Sequence, residues 1–146
     1  MKKLIGLALL IAACHRATPA TPLPSSVAVG AASPNAAVTA FLASVKDGDL
    51  QAMSAVWGTT DGTIRNQMPL SEIEKRETYI MKCTRHDKVT IVSEASAGEG
   101  ERLLVVQLTR GPLTRSTNFT TVQGPQNRWY VRIFDLKPLD DICLSR

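Results

Sequence analysis

The chain has 146 residues, a formal net charge of +4 and three cysteines. That length suits one domain and leaves no room for two, and 44% hydrophobic with 21% charged residues excludes a wholly disordered chain. Aromatics make up only 5%, so the core has to rest on aliphatic side chains, and a sequence pI of about 9.2 raises the question of an acidic partner.

Met1-Lys2-Lys3 is a short cationic start, and Leu4 to Ile11 follow as an apolar run interrupted only by small residues. The run is too short to cross a bilayer, which takes roughly 20 apolar residues. It has the length of a signal-peptide core. It ends in Ile11-Ala12-Ala13-Cys14: an aliphatic residue, two small residues, then cysteine. This resembles the lipobox of bacterial lipoproteins, and an ordinary secretory signal that contains a cysteine is the competing reading. The resemblance implies cleavage before Cys14, a diacylglyceryl thioether on Cys14 and an acylated amine. Two or three such chains hold a protein firmly to a bilayer. The position after the cysteine is His15 rather than aspartate, which in enteric bacteria favours the outer membrane. The implied location is the cell envelope, lipid-anchored and facing the periplasm, with the bilayer as first partner.

Removing residues 1–13 removes Lys2 and Lys3 and leaves 15 basic against 13 acidic side chains, +2. No run of Lys and Arg with interleaved aromatics exists, so no nucleic-acid partner is expected.

Residues 14–33 are dominated by Pro, Ala, Thr and Ser, with prolines at 19, 22 and 24 that stiffen the backbone toward an extended form. They read as a tether that lifts a domain, residues 34–146, off the membrane. A Pro-rich partner motif is the sharper alternative, without an aromatic or charged specificity residue nearby.

Ser33 is a good N-cap and Pro34 fits the first position of a helix. Val38, Phe41, Leu42 and Val45 then form one apolar face. Asp47-Gly48-Asp49 ends that helix, and Asp49 caps a second that carries Leu50, Met53, Val56 and Trp57. Residues 58–69 read as a loop with room for one short strand. Ser71 and Glu74 have the spacing of a capping box for a third helix, with Leu70, Ile73, Ile80 and Met81 on its apolar side and Tyr79 near its end. After Cys83 the period changes to two. Lys88–Ala95, Arg102–Arg110, Thr114–Val122 and Arg128–Phe134 read as strands, separated by turns at Gly98–Glu101, Gly111-Pro112 and Gly124–Asn127. About three helices followed by four strands on short turns predict an α+β fold, with N-terminal helices packed on a curved antiparallel sheet.

This order resembles the nuclear-transport-factor-two-like, or cystatin-like cone, superfamily. The residues that carry the likeness are 37–49, a helix ending in Gly48-Asp49 with a second helix beginning at once, and the late strand Arg128-Trp129-Tyr130-Val131. The resemblance implies a curved sheet wrapped on a helix, with a pocket at the open end of the cone. Some members are isomerases or dehydratases, and many only bind or scaffold, so the likeness does not choose a function.

Export into an oxidising compartment favours pairing of Cys83 with Cys143, since lipid takes Cys14; two separate buried thiols are the alternative. No metal site is expected from two histidines, one of them in the tether. No Walker, G-x-S-x-G, H-E-x-x-H or dinucleotide pattern occurs, so no cofactor is expected. An enzyme of the isomerase or dehydratase kind would need a buried acid or base, and Tyr79, Glu94, Asp135 and His86 are the candidates. Trp57, Tyr79, Phe119 and Trp129 are candidates to line a pocket for a small apolar ligand, with plain core packing as the alternative for each. In the strand at 102–110, Leu104, Val106 and Leu108 oppose Leu103 and Val105. In the last strand, Trp129, Val131 and Ile133 oppose Tyr130 and Phe134. Two apolar faces predict that the second is covered, by a second copy in a homodimer or by the C-terminal tail. The favoured reading is a non-enzymatic envelope lipoprotein that binds a small apolar ligand or a protein; the alternative is a cone-shaped enzyme.

Overall fold

The computed structural model describes residues 29–145, so Cys14, the expected signal peptide and most of the expected tether lie outside the described residues. The fold is α+β. Helix α1 (Pro34–Asp47) starts as its sequence predicts: the Ser33 hydroxyl accepts from the Ala36 N–H, and Pro34 sits in the first turn. It ends at Gly48, whose φ of +72° lets its N–H turn back to the Ser44 and Val45 carbonyls. The Asp49 carboxylate caps α2 (Leu50–Val56) by accepting from the Ala52 N–H at 2.9 Å. Two short strands, β1 (Gly58–Thr59) and β2 (Gly62–Thr63), form a small hairpin, and one 3-10 turn leads on toward α3 (Leu70–Cys83).

Helix α3 departs from the predicted capping box. It begins at Leu70, with the Pro69 carbonyl accepting from Glu72 and Ile73, so Ser71 lies inside the first turn and no side chain caps the end. Its inward face is Ile73, Glu77, Ile80 and Cys83, while Leu70 is 54% exposed.

The main sheet is an antiparallel meander of β3 (Lys88–Gly98), β4 (Glu101–Arg110), β5 (Leu113–Gln123) and β6 (Trp129–Phe134), in that order. Leu104, Val106, Leu108 and Phe119 face inward and are buried against α1. All three phenylalanines meet there: Phe41 of α1 lies 6.1 Å from Phe119 and 5.5 Å from Phe134, centroid to centroid.

The two faces of β6 differ from strict alternation. Phe134 pairs with Phe119, yet Val131 pairs with Thr121, so Arg132 is an extra residue in β6. That bulge inverts the parity of everything beyond it. Phe134 therefore turns inward beside Val131, and Ile133 turns outward, 54% exposed.

The tail also forms structure the sequence did not announce. A 3-10 turn (Lys137–Leu139) leads into α4 (Asp140–Leu144), with Leu139 and Ile142 fully buried in the inner core. Cys143 is disulfide-bonded to Cys83 at the end of α3. Arg115, on the inner face opposite Leu108, pairs with Asp141 of α4. The tail thus covers the inner side of the sheet. It is not the cover for the outer face, where Leu103 and Val105 remain partly exposed.

Among the described residues, Val29 and Gly30 already contact the body, ahead of the boundary expected at residue 34; the Val29 carbonyl accepts from Arg128 Nε at 3.3 Å. The Gly30 N–H donates to the Ala55 carbonyl, and Ala31 and Trp129 exchange two backbone bonds at 2.8 Å. Gly30 has φ +70°, and a Cβ there would lie 2.8 Å from the Tyr130 ring, so the close approach requires glycine.

Candidate functional site

The exposed face of α3 carries Glu72, Lys75, Arg76 and Tyr79 at i, i+3, i+4 and i+7, which puts all four in one stripe. Beside that stripe lie Trp57, where the chain leaves α2, and Phe134, at the end of β6. Together with Ile80 these residues line an open cleft of about 480 Å³, within the range of small-molecule sites. Trp57 is held in place by its backbone. It bridges Val131 in parallel, and its carbonyl accepts from the Ile64 N–H at 2.8 Å. Phe134 reaches the cleft only because of the Arg132 bulge.

The cleft is apolar inside and charged at its rim. Trp57 and Ile80 are nearly buried, while Tyr79 is 59% exposed and stands as a wall. Arg76 Nε donates to Glu72 Oε1 at 2.7 Å. That hydrogen bond, with the charge behind it, holds the Glu72 carboxyl below the usual carboxylate range. The two rim charges therefore satisfy each other, and Lys75 makes no ion pair among the described residues.

Of the four aromatic candidates, Trp57 and Tyr79 come together here. Phe119 is fully buried between Phe41 and Phe134, and Trp129 lies elsewhere, under the Arg102 guanidinium at 6.0 Å. Sequence reasoning missed Phe134, because unbroken alternation assigns it to the other face.

The acid and base candidates are scattered. Glu94 lies on β3, 3.9 Å from Arg102 Nε; Asp135 follows β6 and accepts from the Lys137 N–H; the His86 ring bonds the Thr84 carbonyl. None joins Tyr79 in the cleft. The buried carboxyl among the described residues is instead Glu77, 1% exposed, with Oε1 lacking a hydrogen-bond partner. Burial pushes its carboxyl up to about 7, against a smaller opposing pull from Arg65. A signal for it was available: Glu77 stands four residues after Ile73, in the apolar stripe of α3. Glu77 is not among the residues lining the cleft.

No family model matches this chain, and no curated protein matches it. Two solved structures are similar to it. One is an NTF-2-like protein of unknown function from Shewanella oneidensis MR-1, 16% identical, covering 67% of this chain and 90% of that one, with a TM-score of 0.40. The other is an LEH-like epoxide hydrolase from M. tuberculosis, 18% identical, covering 74% and 86%, with a TM-score of 0.34. At these scores neither likeness bears on activity, and the α+β architecture rests on this chain's own elements.

Proposed function

We propose that this chain is a bacterial envelope lipoprotein, anchored through acylated Cys14, whose α+β domain binds a small apolar ligand without catalysis. The observation that carries the binding reading is the Trp57–Tyr79–Ile80–Phe134 cleft. Its interior is apolar, and its only carboxylate, Glu72, is already neutralised by Arg76. A reaction at this site would have to use Lys75 or Tyr79, both exposed on the outer face of α3 rather than buried beside the ligand. Glu77 has the raised pKa of an acid–base group, but it takes no part in this lining.

Two readouts on the full chain test the proposal. Palmitate supplied to growing cells is expected to label the wild type and not Cys14→Ser. The neutral dye N-phenyl-1-naphthylamine, titrated against the unacylated Cys14→Ser chain, is expected to bind with an affinity that Tyr79→Ala lowers about ten-fold, the worth of one partly desolvated ring. Equal palmitate labelling of both chains removes the anchor, and equal dye affinity removes the cleft.

The uncovered outer face supports a second part of the reading, a homodimer through the sheet. Leu103, Val105 and Ile133 form its apolar centre. Light scattering at micromolar concentration is expected to return a dimeric mass, and Ile133→Glu a monomeric one, because each copy would bring a charge to a self-facing patch. A monomeric wild type would end the dimer proposal.

A further inference from the structure

The geometry points to a second binding site: a cationic cleft at the far end of the domain that takes a compact, soluble phosphate-type anion. Lys46 from the end of α1, Arg85 and His86 from the segment after α3, and Arg110 from the end of β4 line one hollow of about 250 Å³. Three permanent positive charges thus converge from three elements far apart in sequence. Asp87 also lines the hollow, but its Oδ2 already accepts the Gly111 N–H at 2.7 Å. The balance of charge facing the hollow remains positive.

Two of the lining side chains, Arg110 and His86, are held by hydrogen bonds, while Lys46 and Arg85 are exposed. Arg110 Nη1 donates to the Ile142 carbonyl at 3.0 Å, which fixes the plane of the guanidinium and leaves its other N–H groups for a ligand. His86 Nδ1 lies 2.9 Å from the Thr84 carbonyl oxygen, an acceptor only, so Nδ1 carries the proton. Nε2 is then the free ring nitrogen. The Cys83–Cys143 bridge joins the two segments that supply these contacts, since Arg85 and His86 follow Cys83 and Ile142 precedes Cys143. Planar guanidinium groups suit the paired oxygens of a phosphate. A neighbouring hollow of about 500 Å³ shares Asp87 and Arg110, which leaves room for a substituent or a second phosphate.

Position argues for a soluble anion over a lipid headgroup. Ala31 pairs with Trp129, beside the Glu101 end of β4, so the chain enters the domain there. Arg110 is at the other end of the same strand, about 30 Å away at ~3.3 Å per residue. The choice of a soluble anion rests on the proposed anchor, but the apolar cleft shares no residue with this one, so the two binding sites stand or fall separately.

Calorimetric titration of the full-length chain with inorganic phosphate and with pyrophosphate tests the site. Saturable binding is expected, lowered about ten-fold or more by Arg110→Gln and about three- to ten-fold by Arg85→Gln, the range for losing a charge-assisted hydrogen bond. Lys75→Gln removes the same charge from the apolar cleft and is expected to leave anion affinity unchanged. Arg110→Gln also frees the Ile142 carbonyl, so the exposed Arg85 is the deciding position. No saturable binding of either anion, an equal loss in Lys75→Gln and Arg85→Gln, or binding confined to phosphatidylglycerol vesicles would each overturn the assignment.

Discussion

Replacing both Cys83 and Cys143 by alanine is expected to destabilise the domain by about 4 kcal/mol, the chain-entropy value for a closed loop of this size. The two cysteines are 60 residues apart, and the loop between them contains β3, β4, β5 and β6. Without the bridge, α4 is a five-residue helix at the end of the chain, shorter than helices that hold in isolation. What keeps it docked is the burial of Leu139 and Ile142, the Arg115–Asp141 pair and the Arg110 bond to the Ile142 carbonyl. With those contacts in place the domain is expected to fold without the bridge; a lowered melting temperature of about 15 °C follows from 4 kcal/mol in a domain of this size. Thermal unfolding of the oxidised wild type, the reduced wild type and the double alanine variant measures it. A shift of only a degree or two in both would mean that packing alone holds the tail. The same variant carries a second expectation, because the bridge positions Ile142 against Arg110: phosphate affinity falls with it, while dye binding in the apolar cleft does not.

The parts of the fold legible in the sequence are those governed by local chemistry. Ser33-Pro34, Gly48 and Asp49 are signals whose meaning depends on a few adjacent backbone groups, and each does in the structure what its type predicts. The turns at Gly98–Glu101 and Gly111-Pro112 likewise join strands that pair in direct succession. What was not legible depends on register and on partners distant in the chain. The extra residue at Arg132 has no composition signal, yet it decides that Phe134 and not Ile133 faces α1, and so decides one wall of the cleft. Leu70 looks like part of an apolar stripe, but α3 starts there, and its first two residues, Leu70 and Ser71, stand clear of the body. Docking of Gly30 and Ala31 depends on Trp129 and Ala55, which no local reading of a Pro- and Ala-rich segment could supply. Helix α4 forms because a disulfide and two buried side chains hold it, rather than through its own propensity. The site shows the same division. Trp57 and Tyr79 were visible as aromatics, but their convergence with Phe134 is a tertiary fact, and the cationic cleft joins residues from 46 to 110 that no motif spans.

Glu77→Gln is expected to stabilise the domain by about 2–3 kcal/mol at pH 8 and to change little at pH 5, from the linkage between burial and protonation. The wild-type carboxyl is 1% exposed, and its Oε1 meets no donor. Burial therefore raises its pKa from 4.5 to about 7 in the folded protein. The charged groups around it largely fail to offset this. Arg65 favours the ionised form, but its Nε is donated to Ser54 Oγ and its Nη2 to the Gln51 carbonyl, while Glu74 and Asp49 repel a second carboxylate. The sign follows from the direction of the change. Between pH 4.5 and 7 the folded state holds a proton that the unfolded state has released, so stability falls as pH rises through that window. The contribution is fully present below the unfolded value and lost once pH passes the folded one. Each tenfold difference in proton affinity between the two states is worth about 1.4 kcal/mol, so the loss amounts to about 3 kcal/mol. Glutamine keeps the shape and removes the titration, so the variant's stability is expected to be flat across the same range. Urea midpoints of the wild type and Glu77→Gln at pH 5 and pH 8 measure both slopes. Parallel pH profiles for the two proteins would show that Glu77 is solvated as an ordinary carboxylate. A variant less stable than the wild type at pH 8 would show instead that the ionised carboxylate has a favourable partner, with Arg65 the first candidate. Between those outcomes lies the functional point: a carboxyl that is half ionised near neutral pH, yet absent from the lining of the apolar cleft, tunes the stability of α3 rather than the chemistry of the ligand that α3 helps to hold.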